Sequence, residues 1–270
     1  MRTFKDWFGR NVVLLFGLGV LLYMFLPIFV VVLMSFNKPK SRLGYDFQGF
    51  TFRNWTHLCD PYQLCSSVSV SLRIGLLATL LATVLGTLMA FAMVRHYFRG
   101  RAASNLMIFL PMASPEIVLG SSLLALFVNG GFAGQLGFWT VFIAHVMFCL
   151  SFVVITVKAR LAGLDPRLEQ AAADLYANEW QTFWRVTFPL VVPGIVSAAL
   201  LSFSLSFDDF IITNLNSGQT VTFPMYVWGA AQRGVPMQVN VIGTIMFLLA
   251  LSLVVGQQLV QRARSRPARA

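Results

Sequence analysis

The sequence is poor in charged residues, in cysteine and in the motifs of soluble enzymes. Only 11% of its 270 residues are charged, less than half the share found in soluble domains, and three are cysteines. It lacks the Gly-rich loop ending in Lys-Ser/Thr that holds nucleotide phosphates, and it lacks the His and Cys spacings of metal sites. We therefore expect no catalytic residues, no metal site and no bound cofactor in this chain.

Hydrophobic residues dominate instead and make up 57% of the chain. They occur in blocks of about 20 residues or more, the length that an α-helix needs to cross the hydrocarbon core of a bilayer. Six such blocks predict six transmembrane helices in an all-α membrane protein, folded as one transmembrane domain over residues 1–270. The predicted spans cover approximately residues 11–34, 67–94, 105–128, 138–157, 194–214 and 239–260.

The net charge of +10 comes from basic clusters that lie between the hydrophobic blocks. Such clusters fit anionic lipid headgroups better than nucleic acid, so no nucleic-acid partner is expected. Lys and Arg are much more frequent on the side that carries both chain termini, and the positive-inside rule then places both termini in the cytoplasm. The first block follows a basic segment, as a signal peptide does, but its length favours a retained transmembrane helix.

Two of the cysteines, Cys59 and Cys65, fall in the predicted outer loop 35–66, where thiols can be oxidised. A disulfide that closes a small loop and a pair of unpaired thiols are both compatible with this position. Cys149 lies inside the fourth hydrophobic block and is expected to be a small packing residue.

The predicted cytoplasmic segment 158–193 has the most specific local pattern. Asp165 and Pro166 form a helix-start signal, with Asp as N-cap and Pro as first helical residue. Apolar residues then recur at the spacing of one helix face, at Leu168, Ala171, Ala172 and Leu175. The pattern predicts a short amphipathic helix outside the membrane.

A second, aromatic-rich segment over residues 179–188 is expected to end at Pro189. Two short helices of this kind either rest on lipid headgroups or dock into a groove on a partner protein. Periodicity alone leaves both interpretations open.

This segment resembles the cytoplasmic loop of ABC importer permeases, whose pattern is Glu-Ala-Ala, three residues, Gly, nine residues and Ile-x-Leu-Pro. Ala171, Ala172 and Pro189 match it, while Gln170 replaces Glu and Tyr176 replaces Gly. The resemblance implies that the loop forms coupling helices seated in clefts of ATPase subunits, through Gln170, Ala171, Ala172, Tyr176, Glu179 and Pro189. Because Tyr is disfavoured at positive φ, we expect either a different bend at Tyr176 or a backbone that never needed glycine.

Further matches run along nearly the whole chain and are similar to the spermidine/putrescine type of ABC importer permease, within the family of binding-protein-dependent transport inner membrane components. The matching stretches are Ser35 to Asn37, Phe98 to Gly100, Ser114 to Val118, His145 to Cys149, Asp165 to Pro193, Ser206 to Phe210 and Gly234 to Asn240. The resemblance implies the type I ABC importer permease (MetI-like) fold in the bacterial cytoplasmic (inner) membrane. It also implies a second permease subunit, two ATPase subunits that bind ATP and Mg²⁺, and an external substrate-binding protein.

Ionisable residues inside the predicted spans need an explanation, because each costs roughly 2.5–3.5 kcal/mol on insertion scales. They lie at similar depth, at or just outside the midplane, when each is placed along its span at a rise of about 1.5 Å per residue. These residues are Glu116, His145, Asp208 and Asp209. Pro111 and Pro115 predict a break in the third helix, with free carbonyl groups that face a polar cavity.

On a continuous fifth helix, polar residues would form one stripe. Its members are Ser202, Ser206, Asp209 and Thr213. We interpret the stripe as the wall of a pathway in which Asp209 faces the substrate, while Asp208 points about 100° away. Alternatively, the acids are paired internally, with Arg73 as one candidate partner. His145 is expected to make a helix-packing hydrogen bond.

A layer of carboxylates favours a cation, and the spaced ammonium groups of a polyamine suit carboxylates and aromatic faces. By resemblance, the positions used for polyamine uptake correspond to Glu116, Ser206, Asp208, Asp209 and outer-loop Trp55, and Glu179 would act in coupling. One alternative is the same fold importing another solute, such as iron, thiamine or a phosphonate. Another is an ATP-independent secondary transporter or channel in which Asp208 and Asp209 bind a coupling ion, which leaves the loop 165–189 without a role.

Overall fold

The structure is a computed structural model that describes residues 4–39 and 46–264, so residues 40–45 of the predicted outer loop lie outside the described residues. Its regular elements are helices. In chain order they are α1 (Phe4–Ser35), α2 (Arg53–Thr56), α3 (Leu64–Arg95), α4 (Arg101–Ala113), α5 (Glu116–Phe127), α6 (Phe138–Ala162), α7 (Arg167–Asp174), α8 (Glu179–Thr182), α9 (Phe188–Asp208), α10 (Ile211–Asn216), α11 (Phe223–Arg233) and α12 (Met237–Arg264).

Five stretches of the described residues are long and apolar enough to cross a membrane. They are Asn11–Ser35, Leu64–Arg95, Glu116–Gln135, Phe138–Ala162 and Glu179–Asp208. The sixth predicted span, 239–260, falls within α12, whose apolar stretch covers Met237–Ser252. Each predicted span therefore coincides with helical structure, although two of the spans are broken.

The chain divides into two compact units. The first consists of Met1–Cys65 with Val227–Ala270, and the second of Ser66–Tyr226. In the first unit α1 packs along α12, where the rings of Phe25 and Phe247 lie edge to face with centroids 6.3 Å apart. The single permease domain expected over residues 1–270 stays a prediction.

The side chain of Asn54 connects α2 to the end of α1 in the predicted outer loop. Asn54 Nδ2 donates hydrogen bonds to the carbonyl oxygens of Ser35, at 3.1 Å, and Asn37, at 2.8 Å. The neighbouring Trp55 stacks on Phe36 with ring centroids 5.3 Å apart. The start of α2 is thereby fixed to the end of α1.

The cysteines take the roles that the sequence allowed. Cys59 and Cys65 form a disulfide, so of the two open possibilities the paired one is present. Cys149 is free and buried in α6, as expected, and its thiol lies 3.4 Å from the carbonyl oxygen of Ser202 on α9.

The second unit is built around α6, which is the most enclosed of the long helices. It packs against α4, α5, α9 and α10, and a helix that is apolar all round is stable only when it is covered in this way or by lipid. Glycine permits a close approach of α3, since a Cβ on Gly86 would lie 2.7 Å from Cγ1 of Val153.

The third predicted span is broken between α4 and α5, as the sequence predicted. Ser114 is extended, with ψ 139°, which is the conformation that a following proline imposes by steric clash. The break lies at Ser114 and Pro115, whereas Pro111 is accommodated inside α4. Glu116 is the first residue of α5 and therefore follows the break directly.

The fifth predicted span is also broken, so the expectation of a continuous helix over 194–214 is wrong. Helix α9 ends at Asp208, Asp209 is extended with ψ 126°, and α10 begins at Ile211. Neither proline nor glycine occurs at this point. The cause is a tertiary contact, described below with the site.

The predicted stop at Pro189 is wrong as well. Helical structure continues from Glu179 to Asp208 through a wide π-helical turn at Phe183–Thr187, and Pro189 lies in the first turn of α9. The π-turn shifts the register of the backbone hydrogen bonds just where a proline ring would clash with a carbonyl group four residues earlier. The helical stretch that contains the fifth predicted span therefore begins well before residue 194.

The first helix of the predicted cytoplasmic segment begins one residue later than predicted, although Asp165 does accept a hydrogen bond at its start. Asp165 Oδ1 accepts a hydrogen bond of 2.9 Å from the backbone N–H of Arg167. This contact satisfies one of the free donors at the helix start, although α7 begins at Arg167 rather than at Pro166.

Candidate functional site

Two half-helices that follow the breaks, α5 and α10, pack closely against each other. A Cβ on Gly120 would lie 2.9 Å from Cδ1 of Leu215 and 3.2 Å from Cα of Ile212. Asn216 Nδ2 donates to the carbonyl oxygens of Gly120, at 3.1 Å, and of Ile212, at 2.9 Å. This packing brings the two helix breaks into one region of the second unit.

Asp209 is a buried cap of α10. The residue is 8% exposed, and its carboxylate accepts three hydrogen bonds from the next turn. Oδ2 accepts from the backbone N–H and from Oγ1 of Thr213, both at 2.8 Å, and Oδ1 accepts from the N–H of Ile212 at 3.4 Å. An acidic oxygen in this place satisfies donors that a helix start leaves free.

His145 of α6 is 1% exposed and lies at the centre of a buried cluster, whose other members are Ser206, Asp209 and Thr213. Its Nδ1 is 2.7 Å from Oγ of Ser206, and its Nε2 is 2.9 Å from Oγ1 of Thr213 and 3.3 Å from Oδ2 of Asp209. The predicted role in helix packing is thus confirmed. His145 joins α6, α9 and α10 through side chains alone.

The polar stripe therefore packs inside the subunit and does not line an open wall. Its four members, Ser202, Ser206, Asp209 and Thr213, are all buried. The extrapolation along one helix failed because extended Asp209 ends α9 and redirects the chain. Asp208 is exposed and Asp209 is buried, the reverse of the predicted orientation. Their roles in transport stay predictions.

The exposed acids at the two breaks are Glu116 and Asp208. Helices α5 and α10, which follow the two breaks, are in contact, so these acids lie in the same region of the second unit. The ion pairs among the described residues do not include Arg73, so it does not neutralise them.

Other features of this region also suit a cation. Helix α9 ends at Asp208, and the free carbonyl groups of a helix C-terminus carry partial negative charge. An aromatic row lies beside them, in which Phe207 stacks on Phe203 at 5.9 Å and meets Phe223 at 6.1 Å. Carboxylates, carbonyl groups and ring faces together can hold an organic ammonium ion. No group of three metal-ligating side chains occurs in the described ranges.

Two further predicted positions occupy different surroundings. Ser206 belongs to the buried cluster through its contact with His145. Trp55 lies in the first unit, on α2, where it is half-buried against Phe36. The acids at the helix breaks belong to the second unit.

The predicted cytoplasmic segment is anchored by an acidic residue that the sequence did not single out. The carboxylate of Glu169 on α7 accepts hydrogen bonds from both terminal guanidinium nitrogens of Arg95, one of them at 2.6 Å. It also accepts a hydrogen bond of 2.6 Å from Oγ1 of Thr187. The hydrogen bonds from Arg95 hold the pKa of the Glu169 carboxyl below its ordinary value. The two partners are 74 residues apart, so no local pattern pointed to this pair.

The predicted coupling residues lie on the exposed surface of this segment. Gln170, Ala171, Tyr176, Glu179 and Pro189 are exposed, and Ala172 is half-buried. The same surface carries exposed Leu175 and Trp180. It is apolar and uncovered within this chain.

Tyr176 takes a left-handed backbone conformation with φ 59°, which contradicts the expectation that tyrosine excludes such a bend. The hydrogen bonds at the C-terminal end of α7 explain this conformation. The N–H of Ala177 bonds to the carbonyl of Ala172 at 3.0 Å, and the N–H of Tyr176 to that of Ala173 at 2.9 Å. This pattern is the Schellman motif, in which glycine is the usual residue at the left-handed position.

Comparison with known proteins supports the family that the sequence resembles. The profile of the family described as binding-protein-dependent transport system inner membrane component matches residues 82–266. The spermidine/putrescine transport system permease protein PotC of Haemophilus influenzae is 40% identical over 257 residues, 95% of this chain and 97% of that protein. The putrescine transport system permease protein PotI of Escherichia coli (strain K12) is 34% identical over 243 residues, 88% of this chain and 85% of that protein.

Solved structures agree on the fold. A bacterial ABC transporter involved in the import of the acidic polysaccharide alginate aligns with a TM-score of 0.71 and 17% identity, over 98% of this chain and 100% of that chain. The inward-facing MetNI methionine ABC transporter aligns with a TM-score of 0.59 and 16% identity, over 76% and 97%. The predicted ABC importer permease fold is confirmed. The chain therefore belongs to the binding-protein-dependent transport system inner membrane component family and is a multi-pass protein of the inner membrane.

Proposed function

We propose that this chain is the permease subunit of an ATP-driven importer that takes up polyamines such as spermidine and putrescine. The observation that carries the proposal is the 40% identity, over 95% of the chain, to a spermidine/putrescine permease. The exposed carboxylates at the two helix breaks give it a physical basis. Negative groups inside a membrane attract and select cations.

A polyamine has ammonium groups separated by methylene chains, and the site offers matching features. Glu116 and Asp208 provide two carboxylates on different helices, and the end of α9 adds backbone carbonyl groups. Phe203 and Phe207 provide apolar faces for the methylenes between them. An anionic substrate would meet uncompensated negative charge in the same place.

The chain has no nucleotide-binding loop, so in this proposal ATP and Mg²⁺ are bound by two partner ATPase subunits. A second permease subunit completes the pathway, and an external binding protein delivers the polyamine. The exposed apolar surface of α7 and α8 is the part of this chain that suits contact with an ATPase, because a solvated apolar surface of this kind is typical of interaction sites.

Both chain termini face the cytoplasm in this proposal. The disulfide between Cys59 and Cys65 supports this orientation, because disulfides persist on the oxidising side of the membrane. One span, Asn11–Ser35, lies between the N-terminus and that disulfide. A cysteine at Tyr176 should then be shielded from an impermeant thiol reagent in intact cells, and labelling from outside would contradict the orientation.

Uptake of radiolabelled spermidine by cells that express the complete importer tests the substrate. A charged contact contributes roughly 1.5–3 kcal/mol, and 1.4 kcal/mol corresponds to a factor of about ten. Asp208→Asn and Glu116→Gln should each reduce uptake about tenfold at unchanged protein level. Asp46→Asn, which removes the same charge from an exposed acid outside the predicted spans and away from the coupling surface, should leave uptake unchanged. Near-normal uptake by the double variant would contradict a cation site at the breaks.

Co-purification of the ATPase tests the coupling surface. Ala171→Glu with Ala172→Lys should prevent ATPase binding and abolish uptake, while the permease still inserts into the membrane. The matched control places the same charges at Ala102 and Ala103, two exposed alanines in the first turn of α4. ATPase recovery at normal yield with the α7 variant would place the coupling contact elsewhere.

A further inference from the structure

Side chains of α6 contact α10 at both of its ends. At the N-terminal end, His145 contacts Thr213 and lies 3.3 Å from Asp209, the residue that caps the helix. At the C-terminal end, Oγ1 of Thr140 donates a hydrogen bond of 2.7 Å to the carbonyl oxygen of Asn216. Both contacts come from α6. The position of α10 is thus set from α6.

The break before α10 depends on the buried cluster around His145 because the local sequence does not require a break. Residues 206–213 contain neither proline nor glycine, the residues at which helices ordinarily break. An extended residue inside a membrane leaves backbone groups that must find other partners. Asp209 supplies them, since its carboxylate binds the N–H groups of Ile212 and Thr213. His145 in turn fixes the carboxylate and both neighbouring hydroxyl groups.

The exposed neighbour of Asp209 gains its position from the same break. Asp208 is the last residue of α9, and its side chain is exposed while the side chain of Asp209 is buried. If α9 continued without a break, the backbone direction at Asp208 and the free carbonyl groups beside it would be lost.

We infer that His145 and Asp209 form a positioning pair that maintains the break between α9 and α10 and so sets Asp208 in the substrate pathway. Asp209 caps α10 directly, His145 acts by holding Asp209, and neither residue touches the substrate. The inference rests on the proposed function and assigns different roles to two adjacent acids. Asp208 is the substrate-facing member, and Asp209 belongs to the scaffold behind it.

A double-variant cycle on spermidine uptake by the complete importer separates these roles. His145→Leu and Asp209→Asn should each lower uptake at least tenfold, and the double variant should be no more than about twofold worse than the poorer single variant. Asp209→Asn combined with Glu116→Gln should instead multiply the two losses, because Glu116 is placed by its own break. Multiplied losses in the His145 and Asp209 pair would overturn the inference.

Thiol labelling measures the break itself and does not depend on the identity of the substrate. Cys149→Ala removes the free thiol of the chain and serves as the packing control, since Cys149 lies one turn from His145 on the same face of α6. In this background, the cysteine of Asp208→Cys should react with a cationic methanethiosulfonate. Adding His145→Leu to this variant should change the labelling rate at residue 208 at least fivefold. Glu116→Cys should react at the same rate with and without His145→Leu.

The two assays distinguish a wrong substrate assignment from a wrong positioning role for His145 and Asp209. If the importer carries another solute, spermidine uptake is absent in the wild type while the labelling contrast at residue 208 persists. An unchanged labelling rate at residue 208 after loss of His145 would overturn the positioning role. If His145→Leu does not reach the membrane, His145→Gln replaces it in both assays, because glutamine keeps one donor and one acceptor, and smaller effects in the same pattern are expected.

Discussion

The two helix breaks of the second unit have similar shapes and different origins. The break between α4 and α5 is local, because Pro115 forces Ser114 out of helical geometry and no distant side chain is needed. The break between α9 and α10 has no proline and is held by Asp209 and His145. The first presents Glu116 and the second presents Asp208. The same functional geometry thus arises once from backbone chemistry and once from tertiary hydrogen bonds.

This difference predicts unequal sensitivity to mutation. A break made by proline should survive changes to the acid that it presents, whereas a break made by a buried network should fail with any member of that network.

The largest effect is expected for the stability of the buried break. Asp209→Ala leaves three buried donors on Ile212 and Thr213 without their acceptor, and each such loss costs about 1–3 kcal/mol. We expect the free energy of unfolding to fall by about 3 kcal/mol or more, measured as a lower Tm of the purified permease. Glu116→Ala, at the exposed break, should change it by less than about 0.5 kcal/mol. Equal losses at the two acids would remove the contrast.

Pro115→Ala should affect transport more than stability. It restores a backbone N–H and removes the clash that keeps Ser114 extended, so α4 and α5 can join. Uptake should fall several-fold, while the free energy of unfolding changes by less than about 1 kcal/mol. Pro111→Ala is the matched control, because Pro111 lies inside α4 where the helix continues. Equal losses from both proline variants would mean that the break has another origin.

A third departure from helical geometry, outside the membrane, sharpens the contrast. Tyr176 is 97% exposed and left-handed, so it is strained and buries nothing within the subunit. Tyr176→Gly should raise the free energy of unfolding by about 0.5–1 kcal/mol, because glycine tolerates this φ. In the importer the same variant should retain less ATPase on purification, since the exposed ring is lost. Tyr176→Asn, which tolerates the bend without an aromatic ring, should behave similarly, and full ATPase retention by both variants would exclude the ring from docking.

The smallest effect is expected at the anchor of the cytoplasmic segment. Glu169→Gln should cost about 0.5–1 kcal/mol near neutral pH, because the pair with Arg95 is partly exposed. Hydrogen bonds from Arg95 lower the pKa of Glu169 in the folded state, so its contribution is present above the ordinary glutamate pKa. It is lost as the pH falls through the lowered value. The stability difference between wild type and Glu169→Gln should therefore vanish in acid, and a difference that grows in acid would contradict the assignment.

The sequence predicted those features whose causes are local. Long apolar blocks are enough to predict the transmembrane helices, and Pro115 is enough to predict a break. The hydrogen bond that Asp165 accepts at the start of α7 likewise depends only on adjacent residues. The fold follows largely from such short-range signals, to which the resemblance adds the arrangement of the helices.

The features that were predicted wrongly depend on distant contacts. The break at Asp209 requires His145, which is 61 residues from Ser206 and 68 from Thr213 in the sequence. A helical projection of 194–214 could not show it, so the polar stripe was assigned to a pathway instead of to packing against α6. The wide turn before Pro189 was equally hidden, because a proline ordinarily ends a helix unless the hydrogen-bond register changes.

The helix that passes Pro189 without stopping gives the molecule a mechanical element. Glu179–Asp208 is one helical stretch of 30 residues, about 45 Å long at 1.5 Å per residue. One end lies in the proposed ATPase contact, and the other carries Asp208, the acid of the proposed cation site. We expect a displacement of residues 179–182 to be transmitted along this stretch, with bending at Phe183–Thr187, where the hydrogen-bond register changes. In the proposed importer, movement at the ATPase contact and movement of the proposed cation site are therefore coupled through one helix.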